Sequence, residues 1–209
     1  LLGRITIDDV IDIVKEEAEK DYQMASGISE SVESSNSIWQ LTRARLPWLL
    51  IGLAGGLLGA FIIDEFLPQN NETLKLAFFI PLIAAMGGNV GVQSSAIVVQ
   101  GLANNTIKIN PMLNKLIKEL WVALINGCIC SLIIFISTLF LYSDYKLSIT
   151  VSLSLFCVIV FAALFGTFIP LILNKYKIDP ALATGPFITT ANDIIGLVIY
   201  FSIGQKIIC

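Results

Sequence analysis

The chain has 209 residues, of which 56% are hydrophobic and 14% are charged. Soluble domains average about 25% charged residues, so this composition excludes an ordinary soluble fold. The sequence contains no His, which excludes imidazole catalysis and His-ligated zinc, and no basic patch supports nucleic-acid binding. Residues 1–36 carry a net charge of −6 and the rest of the chain carries +3, which indicates a solvated segment followed by a membrane domain.

The acidic N-terminal segment predicts two elements and a linker before the membrane domain. The stretch "GRITIDDVIDIVKEEAEKDYQM" favours a short strand, Arg4–Ile7, followed by a helix capped near Asp8 or Asp9. The serine-rich stretch "SGISESVESSNS" is typical of a linker or hinge. Its glutamates, Glu30 and Glu33, are either gating contacts of a divalent-cation sensor or solvated loop charges.

Five apolar runs follow, each long enough to cross a membrane and uncharged except for Asp193 in the fifth. A soluble helical core would leave too little polar surface to cover five such runs, so the sequence predicts an all-α, multi-pass protein of the cell membrane. Seven Lys and Arg residues fall on one side of these spans and three on the other, which predicts a cytoplasmic N-terminus and an external C-terminus. The predicted spans are Leu46–Ile63, Leu76–Leu102, Leu120–Ser143, Leu147–Leu173 and Ala181–Ile203.

The second span contains an unusual polar stretch, "GGNVGVQSS". In a helix, Asn89 and Gln93 share a face, with Gly88 and Gly91 nearby. Glycines permit close backbone approach or a local break that turns carbonyl groups toward a cavity. The alternative is ordinary packing of small residues with amide hydrogen bonds between helices, and this stretch alone leaves both interpretations open.

Asp193, in "GPFITTANDIIGLVIY", is the charged residue that the membrane tolerates least. It lies 14 residues beyond Asp179, which in a continuous helix is about 21 Å. A central Asp costs about 2.5–3.5 kcal/mol on insertion scales, so it should face the bundle interior or water. No span offers a Lys or Arg at that depth, so its counter-charge is a transported cation or a proton. The alternative is a protonated Asp with a structural role.

The residues around Asp193 predict the kind of ion. Thr189 and Gly185 continue its helix face toward the N-terminus, and Thr190 and Asn192 lie close by. Oxygen ligands without sulfur or imidazole suit a hard cation, Mg²⁺ before Zn²⁺ or Cu²⁺. A wide pore with one carboxylate, and with amide or carbonyl oxygens that contact the water molecules of the ion, fits this chemistry.

Two stretches together, "PLIAAMGGNVGVQSS" and "IDPALATGPFITTANDIIGLVIYFSI", closely resemble the MgtE family of Mg²⁺ channels and transporters. The resemblance covers the whole chain, which begins on Leu and reads as part of a longer protein. Residues 1–27 resemble the end of a truncated cytosolic CBS domain. Residues 28–45 resemble the linker and the connecting "plug" helix, and residues 46–209 the five-span pore domain.

The resemblance implies a homodimer whose pore lies between the second and fifth spans of both subunits. It further implies that cytosolic domains bind regulatory Mg²⁺ and hold the plug helices closed. The family's pore carboxylate falls on Asp193 and a carbonyl ligand on Thr189. Many relatives have Asn where this chain has Val92, so selectivity would be looser here if that Asn reads a water of the ion. The family's polar turn in span two falls on Gly88, Asn89, Gly91 and Gln93. The resemblance thus implies metal contacts at Asp193, Thr189 and Asn89, and a pore lined by Gly88, Gly91, Gln93, Gly185, Pro186 and Thr190.

Three functions fit these residues to different degrees. The first is a Mg²⁺-selective channel or transporter; the second is a transporter of broader divalent specificity, or one coupled to Na⁺. The third, an intramembrane enzyme, would need a second carboxylate at the depth of Asp193, which a single chain lacks. The sequence therefore predicts a transporter with no catalytic residues, whose partners are membrane lipid, divalent cations and a second copy of the chain.

Overall fold

The computed structural model describes residues 5–29, 32, 35–66, 71–103, 112–183 and 185–208. These residues form helices and no strand, and five of the helices are long and apolar enough to cross a membrane, which confirms the predicted fold class. A short 3₁₀ turn, Pro180–Ala183, precedes the last helix. The α-helices are α1 (Ile7–Ala25), α2 (Ile38–Phe66), α3 (Asn71–Ala77), α4 (Ile80–Ala103), α5 (Met112–Tyr142), α6 (Tyr145–Lys175) and α7 (Pro186–Ile208).

The start of α1 differs from the prediction. The N-cap is Thr6, whose hydroxyl accepts a hydrogen bond from the Asp9 amide while its own amide donates to the Asp9 carboxylate at 2.8 Å. This capping box makes Ile7 helical, so the expected strand over Arg4–Ile7 is wrong at its C-terminal end; Arg4 lies outside the described residues. The bonds from the Thr6 hydroxyl and amide hold the pKa of Asp9 below its ordinary value.

The predicted second span is interrupted near its start. The chain forms the short helix α3, turns at Phe78 and Phe79, and then enters α4. Two contacts fix α3 to the bundle: the Tyr200 hydroxyl donates to the Leu76 carbonyl at 2.8 Å, and Lys75 pairs with Asp144 at 2.9 Å. Asp144 also accepts from the Leu147 amide and so caps α6, and the hydrogen bond from Lys75 is the main cause that lowers its pKa.

Helix α6 lies at the centre of the bundle and packs against α4, α5 and α7. Its buried side is mostly apolar, and Val158 and Ile159 belong to the same buried cluster as Ile83 of α4 and Tyr200 of α7. In contrast, α2 and α5 bury few residues and expose long apolar side chains, as helices that face lipid do. Helix α7 packs against α2 as well as against α4 and α6.

The fifth span begins later than predicted. Gly185 has a φ of +59°, which favours glycine, and Pro186 then occupies the first helical position, where its missing N–H is harmless. The expected start at Ala181 is therefore wrong, because Pro180–Ala183 is a separate 3₁₀ turn. Asp193 consequently lies about 10 Å, rather than about 21 Å, from the start of its helix.

Candidate cation pathway

Asp193 stands where two cavities meet, between α7 and α2. One cavity has a volume of about 550 Å³ and opens toward the turn between α1 and α2. The other has a volume of about 290 Å³ and extends along α2 and α7 past Leu197. The cavities share Gly52, Thr190 and Asp193 in their linings. The carboxylate is thus partly buried and borders open space on both sides along the helix.

The larger cavity has a mixed polar and apolar lining drawn from three parts of the chain. One of its lining residues is positively charged: Arg45, near the start of the membrane part of α2. Positive and negative side chains therefore border the same space, with Arg45 toward the α1 end and Asp193 toward the bundle. The lining residues are Ser26, Gly27, Ile28, Arg45, Trp48, Leu49, Gly52, Pro186, Thr189, Thr190 and Asp193.

Thr189 lies one turn before Asp193 and also lines the larger cavity. Its hydroxyl donates to the carbonyls of Pro186, at 3.1 Å, and Gly185, at 3.3 Å. These bonds satisfy the first turn of α7 and orient the threonine side chain. The hydroxyl proton is therefore used within the helix, and its oxygen lone pairs are what Thr189 can offer to water or a cation.

The polar turn of α4 meets α7 through its glycines. A Cβ atom placed on Gly88 would lie 3.5 Å from the Thr189 methyl carbon and 3.8 Å from Oδ1 of Asp193. The structure therefore brings together three of the predicted residues, Gly88, Thr189 and Asp193. It does not bring Asn89 and Gln93 to the same place, because both side chains are exposed on the outside of the single chain.

Gly91 has a different surrounding from the other predicted pore residues. It is buried where α4 crosses α6 and α7, and a Cβ there would overlap the Asn192 amide nitrogen and lie 2.7 Å from Ile188. A Cβ placed on Gly166 of α6 would overlap the Gly91 carbonyl oxygen. In one chain, Gly91 thus permits close packing of three helices, and its predicted contact with a pore remains untested.

Three features of the site were not predicted from the sequence. Asn192 is 1% exposed, and its side-chain amide has no hydrogen-bond partner among the described residues. Ser94 of the polar turn donates a hydrogen bond to the Glu119 carboxylate of α5 at 2.6 Å. The third feature, the glycine row of α2 beside Asp193, had a signal in "GLAGGLLG", whose glycines recur at helical spacing.

The turn between α1 and α2 packs against the start of α7. Gly27, with a φ of +78°, faces Pro186 so closely that a Cβ would lie 2.5 Å from the proline ring. A Cβ on Gly185 would overlap the Ala25 carbonyl oxygen. The segment before the membrane thus contacts the helix that carries Asp193. The predicted gating residues Glu30 and Glu33 lie outside the described residues.

The comparison with known proteins decides the family. The MgtE family model, described as a divalent cation transporter, matches residues 80–203, which include α4, α6 and the Asp193 region of α7. The chain belongs to the MgtE family. The predicted resemblance is thereby confirmed, and the five spans make this MgtE chain a multi-pass membrane protein.

Three magnesium transporters named MgtE are similar over nearly the whole chain. The Bacillus subtilis protein is 36% identical over 100% of this chain and 46% of its own length. The Enterococcus faecalis protein is 35% identical over 98% of this chain and 45% of its own length. The Thermus thermophilus protein is 30% identical over 100% and 46%. The chain therefore spans about half the length of these relatives.

Proposed function

We propose that this chain is the membrane domain of a Mg²⁺ channel or transporter, with Asp193 as the principal contact of the transported ion. The observation that carries the proposal is the position of Asp193, at the junction of two cavities in a chain of the MgtE family. The relatives named as magnesium transporters support Mg²⁺ as the ion. Transport, rather than an enzymatic activity, is the proposed function.

The chemistry around Asp193 suits an ion that keeps its water. Mg²⁺ dehydrates reluctantly and is usually held by one or two carboxylates together with water molecules. The site offers one carboxylate, the Thr189 and Thr190 side chains, and cavities large enough for several waters. A hydrated Mg²⁺ would supply a counter-charge directly beside Asp193 within the apolar layer.

The exposed side of α4 supports a homodimer. Asn89 and Gln93 are both exposed, one turn apart on one face of the helix, together with the small residue Ala85. Amides exposed to hydrocarbon have no hydrogen-bond partners, so this face is better covered by a second copy or by water. A dimer with its pore between the second and fifth spans would also supply two copies of Asp193, whose charges together neutralise one divalent ion.

The dimer predicts cross-linking through α4. In a protein whose native cysteines are replaced, Asn89→Cys and Gln93→Cys should form covalent dimers with a short thiol cross-linker in lipid. The control is Leu132→Cys on α5, which is 60% exposed and should face lipid. Cross-linking at Leu132→Cys but at neither α4 position would contradict the proposed interface.

Regulation by cytosolic Mg²⁺ is the second part of the proposal. The contact of Gly27 with Pro186, and of Ala25 with Gly185, joins the segment before the membrane to the start of the pore helix. Movement of that segment could therefore change the larger cavity, which it lines. A regulatory ion would close the path only by binding the closed state more tightly than the open one. The N-terminus would lie in the cytoplasm, where such an ion is sensed.

Flux measurements in proteoliposomes test the proposed function. We expect Mg²⁺ entry that follows the Mg²⁺ gradient and membrane potential, and that does not change when a Na⁺ gradient is imposed or removed. A requirement for Na⁺, or equal entry of Ca²⁺, Mn²⁺ and Co²⁺, would instead support the alternative of a coupled or broader transporter. The family description as a divalent cation transporter, and Val92 in the polar turn, favour testing this alternative directly. Absence of divalent flux from correctly inserted protein would contradict both.

A further inference from the structure

The glycine row of α2 (Gly52, Gly55, Gly56 and Gly59) contains glycines of two kinds. Gly55 and Gly59 lie against α7: a Cβ on Gly55 would overlap the methyl group of Thr190, and one on Gly59 would lie 3.4 Å from Leu197. Close approach of the two helices accounts for these glycines, since small residues let membrane helices pack closely.

Helix packing does not account for Gly52 and Gly56. A Cβ placed on either glycine would meet no atom within 4 Å. Both instead line the cavities beside Asp193: Gly52 borders both of them and Gly56 the smaller one. They lie one helical turn apart, about 6 Å along the axis. Their missing side chains therefore leave room in the cavities.

The two cavities follow the groove between α2 and α7 of one chain. The larger begins at Ser26, Gly27 and Ile28, and the smaller reaches Ile63 and Leu197. A side chain at position 52 or 56 would project into the open space of this groove, which Asp193 also lines. An ion that passes Asp193 with its water shell needs that space, because Mg²⁺ retains several waters.

We infer that the first span forms one wall of the cation path and that Gly52 and Gly56 set the width of the path beside Asp193. The inference rests on the proposed transport function and deepens it. It adds α2 to a pore that the family resemblance assigns to the second and fifth spans alone. It also gives a role to glycines that helix packing leaves unexplained.

Thiol accessibility tests whether water reaches this wall of the cation path. In a protein with Cys128, Cys130, Cys157 and Cys209 replaced by Ser or Ala, Gly52→Cys and Gly56→Cys should react with a charged, membrane-impermeant methanethiosulfonate. The control Leu57→Cys is 65% exposed and lies on the lipid side of α2. We expect it to react more than about tenfold more slowly, because the thiolate that reacts does not form in hydrocarbon. Mg²⁺ should slow the reaction at both glycine positions.

Side-chain size provides the second readout. The series Gly56→Ala and Gly56→Val should reduce Mg²⁺ flux stepwise, with a loss of at least about fivefold for Val, because width limits passage through a pore. Leu57→Val, with the same insertion and dimer content, should leave the flux unchanged. Normal flux in Gly56→Val would overturn the inference.

The outcomes separate this inference from the proposed function. If Gly52→Cys and Gly56→Cys are as unreactive as Leu57→Cys while Mg²⁺ flux is normal, the proposed function stands, but α2 does not form a wall of the cation path. A disulfide between two copies at Gly56→Cys would also overturn the inference, because the groove would then be filled by the partner. If the parent protein carries no Mg²⁺ but both cysteines react, the proposed function fails and the groove is still shown to be wet.

Discussion

Replacing Asp193 with Asn is expected to lower the apparent affinity for transported Mg²⁺ at least tenfold. The substitution keeps the size and hydrogen bonding of the side chain and removes its charge. Coulomb attraction between unit charges about 5 Å apart is worth about 3 kcal/mol at an effective dielectric constant near 20, or roughly a hundredfold in occupancy, and the charge of a divalent ion doubles this energy. Water in the adjoining cavities reduces this figure, so we predict the smaller loss. Mg²⁺ flux into proteoliposomes over a range of concentrations measures it.

Two variants distinguish charge from shape at this position. Asp193→Glu retains the charge and should still bind Mg²⁺, but its longer side chain enters the pathway and should alter selectivity before affinity. Asn89→Ala removes a neutral side chain that lies apart from Asp193 in one chain, and should cost less than Asp193→Asn. Insertion and dimer content must be equal in all variants. Normal affinity and flux in Asp193→Asn would leave the carboxylate a structural residue and remove the proposed site.

Replacing Gly166 with Ala should destabilise the bundle more than any other single methyl group added at these helix crossings. A Cβ on Gly166 would overlap the carbonyl oxygen of Gly91 and would lie 3.1 Å from the carbonyl carbon of Gly91. A backbone cannot rotate aside as a side chain can, so α4 and α6 would have to separate. Overpacking typically costs about 1–3 kcal/mol, and we expect the upper part of that range. Thermal unfolding in detergent gives the measurement.

Gly196→Ala is the matched control for this prediction. A Cβ on Gly196 of α7 would lie 3.5 Å from Val158, an ordinary van der Waals contact. Because Ala favours a helix over Gly by about 1 kcal/mol, this variant should be neutral or slightly more stable. The two changes add the same methyl group, and only Gly166→Ala should lower the stability. Equal stability of Gly166→Ala and Gly196→Ala would contradict the tight crossing of α4 and α6.

The helices of the membrane domain could be predicted because the length of an apolar run is a local property of the sequence. Their ends could not, since they depend on single backbone conformations. Gly185 adopts a positive φ beneath the Ala25 carbonyl, and this contact between distant segments separates the 3₁₀ turn from α7. The N-cap at Thr6 was missed for a simpler reason: Asp8 and Asp9 are also good caps, and local patterns place boundaries within a few residues.

Only part of the candidate site could be predicted from the sequence. Asp193 could be found because a carboxylate in an apolar helix is costly wherever it points. Which helix faces it depends on tertiary packing, and a pattern within one span does not contain that information. The approach of the α4 glycines to Thr189 was therefore expected only from the family resemblance, whereas the open glycines of α2, Gly52 and Gly56, were recognised only from the cavities that they line.

The position of a bound divalent ion tests the central claim most directly. A structure of the protein in lipid, determined with Mn²⁺ as an anomalous substitute for Mg²⁺ and again with Mg²⁺ in competition, would locate the ion. We predict an anomalous peak in the pathway within about 5 Å of the Asp193 carboxylate, a distance at which water molecules lie between ion and protein. The peak should weaken with excess Mg²⁺ and disappear in Asp193→Asn. A peak elsewhere in the membrane domain that persists in Asp193→Asn would contradict the assignment of Asp193 as the principal contact of the transported ion.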